Sequence, residues 1–398
     1  MENDSHDQTN TTATKLKKVA ATNAQKKLER RMQYFLSRAD ILIGGLRPWD
    51  VKVHEPDLYR RVLTQGSLGL GEAYMDGWFD VERLDEFLFR VLRSHLYREV
   101  RHVWAAKALK LLGTLTNRQS IRRSRIVGEK HYDIGNDLYE IMLDRRMVYS
   151  CGYWKNAKDL DEAQEHKLKL ICDKLGLKKG QRILDIGCGW GSLAKYAAEN
   201  YGAEVVGITI SKEQAKLATQ RCQGLPIEIR VQDYRTMTPK KDGMFDHIVS
   251  VGMFEHVGPK NYRKYFKTAQ SLLKDDGLFL LHTIGSTRTS TADPWTDRYI
   301  FHGGILPTIA QVAHGAHDLF VLEDLHNFGV DYDKTLMAWH HNFINAWPKL
   351  KEKYDERFYR MWTYYLLCCA GSFRARHIQL WQFVFSKDGV AGGYQSTR

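Results

Sequence analysis

The chain has 398 residues, 43% hydrophobic and 12% aromatic, with a formal net charge of +12. That length suits two domains, one of them large, and the apolar content supports a sizeable core. Wholesale disorder, a collagen-like repeat and a disulfide miniprotein are thereby excluded.

Residues 1–30 are polar and rich in Thr, Asn and Lys, and read as a disordered tail leading into a helix. They hold no apolar stretch of the kind a secretory signal needs. Residues 31 to about 92 read as a small, mainly helical unit. Its apolar clusters are broken by glycine turns at Gly44-Gly45 and at Gly66-Ser67-Leu68-Gly69. From Arg93 to Lys130, ten Lys or Arg stand against two acids, Glu99 and Glu129, so this segment holds +8 of the net charge. Within it Val100, Val103, Trp104, Lys107, Ala108, Leu111 and Leu112 fall at helical spacing, with Arg98, Arg101, His102 and Lys110 opposite. An apolar face edged by cations suits packing on a core, the commoner case. The alternative is lying on a membrane surface, and the charge of the segment suits docking on something anionic, either nucleic acid or phospholipid headgroups. No run of about 18 apolar residues occurs anywhere, so no transmembrane helix is expected.

From about residue 180 short β-runs alternate with helical stretches. RILDIGC reads as a first strand and Trp190–Tyr201 as a helix; EVVGITI is a second strand and Lys212–Cys222 a second helix. IEIRVQD, FDHIVSV and GLFLLHTIG continue the strands, with a helix from about Asn261 to Leu273. Such alternation implies an α/β domain with a parallel sheet and helices on both faces. LFVLEDLHNF, helices over Thr335–Trp347 and Lys353–Arg374, and QLWQFVFSK complete the chain. Cys151, Cys172, Cys188, Cys222, Cys368 and Cys369 make no paired CxxC motifs, so no metal site is expected, and their low density suits a reduced cytoplasm.

LDIGCGWGS is the strongest motif. Asp185 precedes Gly187, Gly189 and Gly191 between a strand and a helix, where glycine lets the backbone turn sharply and approach a ligand. Dinucleotide, flavin and S-adenosylmethionine sites all use such a loop. The acid two residues before the first glycine resembles the first motif of class I methyltransferases. The second strand lacks the usual ribose-binding acid and ends instead in Thr209, Ser211 and Gln214, which argues against NAD. Gln232 and Asp233, after the third strand, are placed to meet the adenine; the alternative for Asp233 is a helix N-cap. There is no phosphate loop, no [DNS]-P-P-[YFW] and no Pro-Cys pair, so nucleic-acid methylation is disfavoured and a lipid surface gains.

GSLGLGEAYMDGWF, HYDIGNDLY, YSCGYW, LDIGCGWGSLA, VGMFEHVGPKNY, LLHTIGS, DYDKTLMAW and FRARHIQLWQ, in order from about Met32 to the C-terminus, resemble the bacterial cyclopropane-fatty-acyl-phospholipid synthases. The resemblance implies a Rossmann-like class I methyltransferase domain with a mostly parallel sheet over 131–398. It also implies a smaller N-terminal lipid-docking domain over 31–120, with a basic linker to about 130. The implied reaction moves a methylene from S-adenosylmethionine to the cis double bond of a phospholipid acyl chain, through a carbocation, with bound bicarbonate as the base. Carried over position by position, the bicarbonate ligands are Cys151, Glu255, His282, Ile284 through its amide, and Tyr332. Tyr149 and Ser150 are expected over the cofactor, Trp190 near the glycine loop and Tyr132 in an aromatic wall. Cys369 stands at a cysteine position marked in the family and reads mostly as pocket-lining, because a thiolate beside a carbocation would be alkylated. The resemblance further implies a homodimer, and the charge of Arg93–Lys130 suits peripheral binding to the inner face of the cytoplasmic membrane, preferably at anionic lipid. A methyltransferase of a soluble acceptor and a non-enzymatic lipid-binding protein are the rival readings.

Overall fold

A computed structural model describes residues 23–96 and 135–398. The basic segment beyond residue 96, with its expected helix, and Tyr132 lie outside the described residues.

The N-terminal unit is built on helices. Residues 23–37 form α1, which takes in the end of the expected tail. Strands β1 (Lys52–Val53) and β2 (Phe79–Asp80) pair antiparallel around α2 (Leu58–Gln65) and α3 (Ser67–Met75), and α4 (Leu84–Arg93) follows. The expected four-residue glycine turn is confined to Gly66, whose φ of 61° separates α2 from α3. Ser67, Leu68 and Gly69 are helical instead. Glycine serves there for close approach: a Cβ on Gly69 would stand 2.5 Å from the Arg61 carbonyl oxygen, and one on Gly71 would stand 2.3 Å from the Trp295 ring.

After α5 (Asn136–Met142) and α6 (Leu160–Lys174) the α/β series begins as read. Strands β3 (Arg182–Ile186), β4 (Glu204–Thr209), β5 (Ile227–Val231), β6 (Phe245–Val251) and β7 (Leu273–Ser286) run parallel. Their connecting helices include α7 (Ser192–Tyr201), α8 (Lys212–Arg221) and α9 (Tyr262–Leu272). The seven-stranded order is β5-β4-β3-β6-β7-β9-β8. The sheet is mostly parallel, as expected; the exception is β9 (Ile378–Ser386), which runs antiparallel to both β7 and β8 (Val321–Asn327). Between β8 and β9 run two long helices, α10 (Val330–Leu350) and α11 (Glu356–Arg374), which pack on each other. Two helices in succession return the chain to the end of the sheet it left, so β9 comes back the other way.

Leu184, Ile186, Ile248, Phe279 and Leu281 pack one sheet face on α9, and Ile183, Val205, Val249 and Leu280 pack the other on α6 and α7. This alternation is the period-2 pattern of a strand covered on both sides. A third cluster joins the N-terminal unit to α10 and α11, with Phe79, Phe87, Trp295, Trp339 and Trp362 buried in it. Arg374 Nη1 reaches Asp85 at 2.7 Å and Arg360 Nη2 reaches Asp80 at 2.8 Å across that junction. Among the described residues no helix is long and apolar enough to cross a membrane.

Candidate active site

The glycine loop leaves the C-terminal end of β3, at the centre of the parallel strands, where such sheets bind ligands. Gly187, Gly189 and Gly191 all have positive φ (88°, 55° and 77°). The amides of Gly187 and Cys188 both donate to the Ile208 carbonyl, at 2.9 and 3.0 Å, which ties the loop to β4. A Cβ on Gly187 would lie 2.7 Å from Met253 Cβ, so glycine is needed for space as well as for conformation. Asp185 is buried at the root of the loop. Burial pushes its carboxyl up to about 7, opposed by the charge of Lys167. Lys167 is itself fully buried and donates to Ser150 Oγ at 3.0 Å. Desolvation brings its ammonium down to about 8 against the pull of Asp144, Cys151 and Asp185.

The residues expected to replace the ribose acid sit together. Thr209 Oγ1 donates to Gln214 Oε1 at 2.9 Å, and Ser211 Oγ caps α8 by accepting from the Gln214 amide. Gln232 follows β5 directly, and its amide donates to the Thr209 carbonyl at 3.0 Å. Of the two readings of Asp233, the cap is observed. Its carboxylate accepts from the Arg235 amide at the start of a short 3₁₀ turn and pairs with the Arg235 guanidinium at 2.5 Å. Those contacts hold the carboxyl below its ordinary value despite burial.

An aromatic wall adjoins the loop. Trp190 stacks near Tyr139 (ring centroids 4.9 Å apart) and donates from Nε1 to Asn136 Oδ1 at 3.2 Å. Tyr149 lies between Tyr139 (5.0 Å) and Trp339 (5.2 Å), with its hydroxyl 2.8 Å from that of Tyr365. Tyr332 lies in the first turn of α10 rather than in a loop, stacked on Phe373 at 4.5 Å. Burial pushes its phenol well above the usual range, with Cys151, Tyr149, Glu255 and Cys369 adding to the effect, so these groups converge on one region.

Glu255 sits in a 3₁₀ turn after β6, and His282 and Ile284 lie on the same face of β7. Glu255 Oε1 accepts from the Ile284 amide at 2.6 Å. Burial raises its carboxyl to about 7, only partly offset by backbone hydrogen bonds. His282 is kept neutral by burial and by the nearby Lys167 and Lys174. Glu255 Oε2 and His282 Nε2 are buried with no hydrogen-bond partner in the protein. Unpaired buried polar atoms are costly, so a pair of them, one on β7 and one on the turn tied to β7 through the Ile284 amide, marks a cradle for a small polar guest. Bicarbonate, with both donor and acceptor oxygens, fits that donor set. Cys151 lies in the segment before α6, its Sγ donating to the Gly152 carbonyl at 3.1 Å and standing 3.9 Å from Thr335 Oγ1. Cys369 is half-buried on α11, its thiol pushed up to about 12 by burial and by Asp293.

Four contributors escaped the sequence reading. Gln382 donates from Nε2 to His282 Nδ1 at 3.2 Å. Thr335 Oγ1 accepts from the Gly152 amide (3.1 Å) and Trp154 Nε1 (2.9 Å), which pins the Cys151 segment to α10. Lys167 and Asn136 are the others. Asn136, Thr335 and Gln382 stand inside quoted motifs, HYDIGNDLY, DYDKTLMAW and FRARHIQLWQ, whereas nothing in the α6 sequence marks Lys167 as other than a surface lysine.

Known proteins bear directly on this arrangement. A family model described as mycolic acid cyclopropane synthetase matches residues 119–383. Cyclopropane-fatty-acyl-phospholipid synthase of Escherichia coli (strain K12) is 55% identical over 365 residues, covering 91% of this chain and 94% of that protein. A probable fatty acid methyltransferase of Pseudomonas putida is 38% identical, covering 66% of this chain and 69% of its own. The cyclopropane synthase MmaA2 from Mycobacterium tuberculosis superposes with a TM-score of 0.60 at 30% identity, over 66% of this chain and 98% of that one. Mycolic acid cyclopropane synthase CmaA1, solved with SAH and CTAB, gives 0.61 at 31% identity over the same shares. The sheet order, the glycine loop and the match over most of its length agree, and the chain belongs to the mycolic acid cyclopropane synthetase family of S-adenosylmethionine-dependent methyltransferases.

Proposed function

We propose that this protein is a cyclopropane-fatty-acyl-phospholipid synthase, acting on cis-unsaturated acyl chains of phospholipids. The observation that carries the reading is the buried, unpartnered pair Glu255 Oε2 and His282 Nε2 beside an aromatic wall, next to the glycine loop. In the reaction the alkene π pair forms the new C–C bond as the methyl–sulfur bond breaks and its pair stays on sulfur. The other alkene carbon becomes cationic. Loss of a proton from the new methyl then frees the C–H pair that closes the ring. An alkene is a weak nucleophile, so close positioning and exclusion of water carry much of the rate.

The residues divide that work. Asp185, Gly187 and Gly189, with Tyr149, Ser150, Thr209, Ser211, Gln214, Gln232 and Asp233, form the cofactor side. Tyr149, Tyr332, Trp339 and Phe373 offer ring faces, which favour a passing cation without trapping it. Glu255, His282, Tyr332 and Cys151 would hold bicarbonate, which supplies a weak base in a site otherwise short of one; the Ile284 amide, expected to bind it directly, is spent on Glu255 Oε1 and acts by orienting that carboxyl. Cys369 lines the pocket; its raised thiol suits that better than a nucleophile's role.

The N-terminal unit and the basic stretch to Lys130 would bring the enzyme, as a homodimer, to anionic lipid on the inner face of the cytoplasmic membrane. At roughly 1 kcal/mol per well-placed cation, ten Lys or Arg suffice for a salt-sensitive attachment. Binding to anionic vesicles should fall with added salt and with Arg122→Glu/Arg123→Glu; salt-independent binding would count against this docking.

Mass spectrometry of acyl chains tests the reaction. Protein is incubated with S-adenosylmethionine and vesicles of cis-monounsaturated phospholipid, with bicarbonate present or stripped out. The expected product gains one CH2, has no reducible double bond, and is lost without bicarbonate. No gain on any unsaturated lipid, with cofactor still bound, would redirect the assignment to a methyltransferase of a soluble acceptor.

A further inference from the structure

Gln382 lies on β9 directly opposite His282 on β7, in the register that pairs these two antiparallel strands. Both side chains are buried, at 0% and 1% exposure, so neither has water to satisfy it. The contact is Gln382 Nε2 to His282 Nδ1 at 3.2 Å. An amide NH2 group can only donate, so Nδ1 must present its lone pair. A neutral imidazole has one proton, which then resides on Nε2. Burial and the surrounding cations keep this ring neutral. Nε2 is the His282 atom that finds no partner within the protein.

We propose that Gln382 is a positioning residue for the reaction: it fixes the tautomer of His282, so that a neutral ring presents its proton on Nε2, the atom left without a partner, as Glu255 Oε2 is left without one on the turn bonded to the same strand. This rests on the anion reading above and deepens it. A neutral histidine binds an anion only through the nitrogen that bears its proton, and the opposite tautomer would turn a lone pair toward the guest. The backbone fixes the arrangement, because a one-residue slip of β9 would place Trp381 or Phe383 opposite His282 and remove the donor. Glu255 is held with similar economy: one oxygen is used by the Ile284 amide and the other is left for the guest.

Nitrogen-15 spectra of the full chain with labelled histidine test the proposal, with the His282 signals identified by their loss in His282→Ala. The expected result is Nε2 in the protonated range and Nδ1 in the unprotonated range, with or without bicarbonate. The reverse pattern overturns the proposal. In Gln382→Met, which keeps the volume but removes the donor, the His282 signals should shift toward a mixture of tautomers. The bicarbonate concentration giving half-maximal activity should rise about tenfold while the S-adenosylmethionine KM changes by less than about twofold. Equal losses in both constants, with unshifted His282 signals, would make Gln382 a packing residue and overturn the proposal. If the wild-type enzyme ignores bicarbonate yet shows the Nε2 proton, the anion reading fails and the tautomer assignment stands.

Discussion

The Glu255 carboxylate accepts the Ile284 amide through one oxygen, at 2.6 Å, and leaves the other buried without a partner. A carboxyl so placed holds strand β7 and the turn after β6 together while keeping half of its bonding capacity in reserve. Its ionisation is costly in that setting, and its carboxyl is raised to about 7 from an ordinary 4.5. The folded state therefore holds a proton that the unfolded chain has released between those two values. Stability from this group is fully present below about pH 4.5 and is lost as pH climbs through about 7. Glu255→Gln should unfold at higher urea than wild type above pH 7, by up to about 3 kcal/mol, and converge with it near pH 4.5. The same variant should lose about 10²-fold in activity, because misplacement at a reacting centre costs that much. Urea titrations at both pH values and the lipid assay check the two halves separately.

The Cys369 thiol is pushed up to about 12, so almost none of it is thiolate near neutral pH. Cys369→Ser should retain activity to within about threefold, since exchanging a pocket-lining thiol for a hydroxyl changes packing more than chemistry. A loss of a thousandfold or more, or a covalent lipid adduct at Cys369 seen by peptide mass spectrometry, would instead make it a participant.

Thr335 serves three neighbours through one oxygen, accepting from Gly152 and Trp154 and donating to the Asp331 carbonyl. Thr335→Val conserves shape and strands one buried and one half-buried donor. It should cost about 2 kcal/mol or more in urea unfolding. Activity should fall further than that of a surface control, because the Cys151 segment loses its tether to α10.

Gly285 lies flat against Trp381 across the β7–β9 pair, and a Cβ there would stand 1.8 Å from the indole ring. Since Trp381 is fully buried, the ring cannot swing away. Gly285→Ala should destabilise the chain by about 3 kcal/mol, at the upper end for overpacking. It should also shift the register neighbours of His282, which activity measured under fully folded conditions would detect.

The parallel part of the sheet was legible because each strand there is a short apolar run followed by an amphipathic helix, from RILDIGC through GLFLLHTIG. What escaped is the antiparallel end, since strand direction is decided by what the intervening helices do in space, and α10 and α11 form a pair that no local pattern announces. In the site the motif residues were within reach, including Asp185, Glu255, His282 and Tyr332. Gln382 and Thr335 were not, because a supporting hydrogen bond across 100 residues, as between Gln382 and His282, leaves no periodic trace. The turn was read as running from Gly66 to Gly69 because Gly69 resembles a turn residue; it is small because the Arg61 carbonyl presses against it.

One contact described above constrains how such chains can be recombined. α11 approaches α4 so closely that a Cβ on Gly371 would meet the Asp85 carbonyl oxygen at 2.7 Å and the Phe89 amide at 3.0 Å. With Arg374 bonded to Asp85 at the same junction, the front helices and the last long helix are cut to each other's outline. A front unit grafted onto a chain that lacks glycine at position 371 would meet a side chain there, and α11 would be pried away from α4, disturbing the wall around Tyr332. The N-terminal unit is thus heritable together with α11 and poorly interchangeable without it.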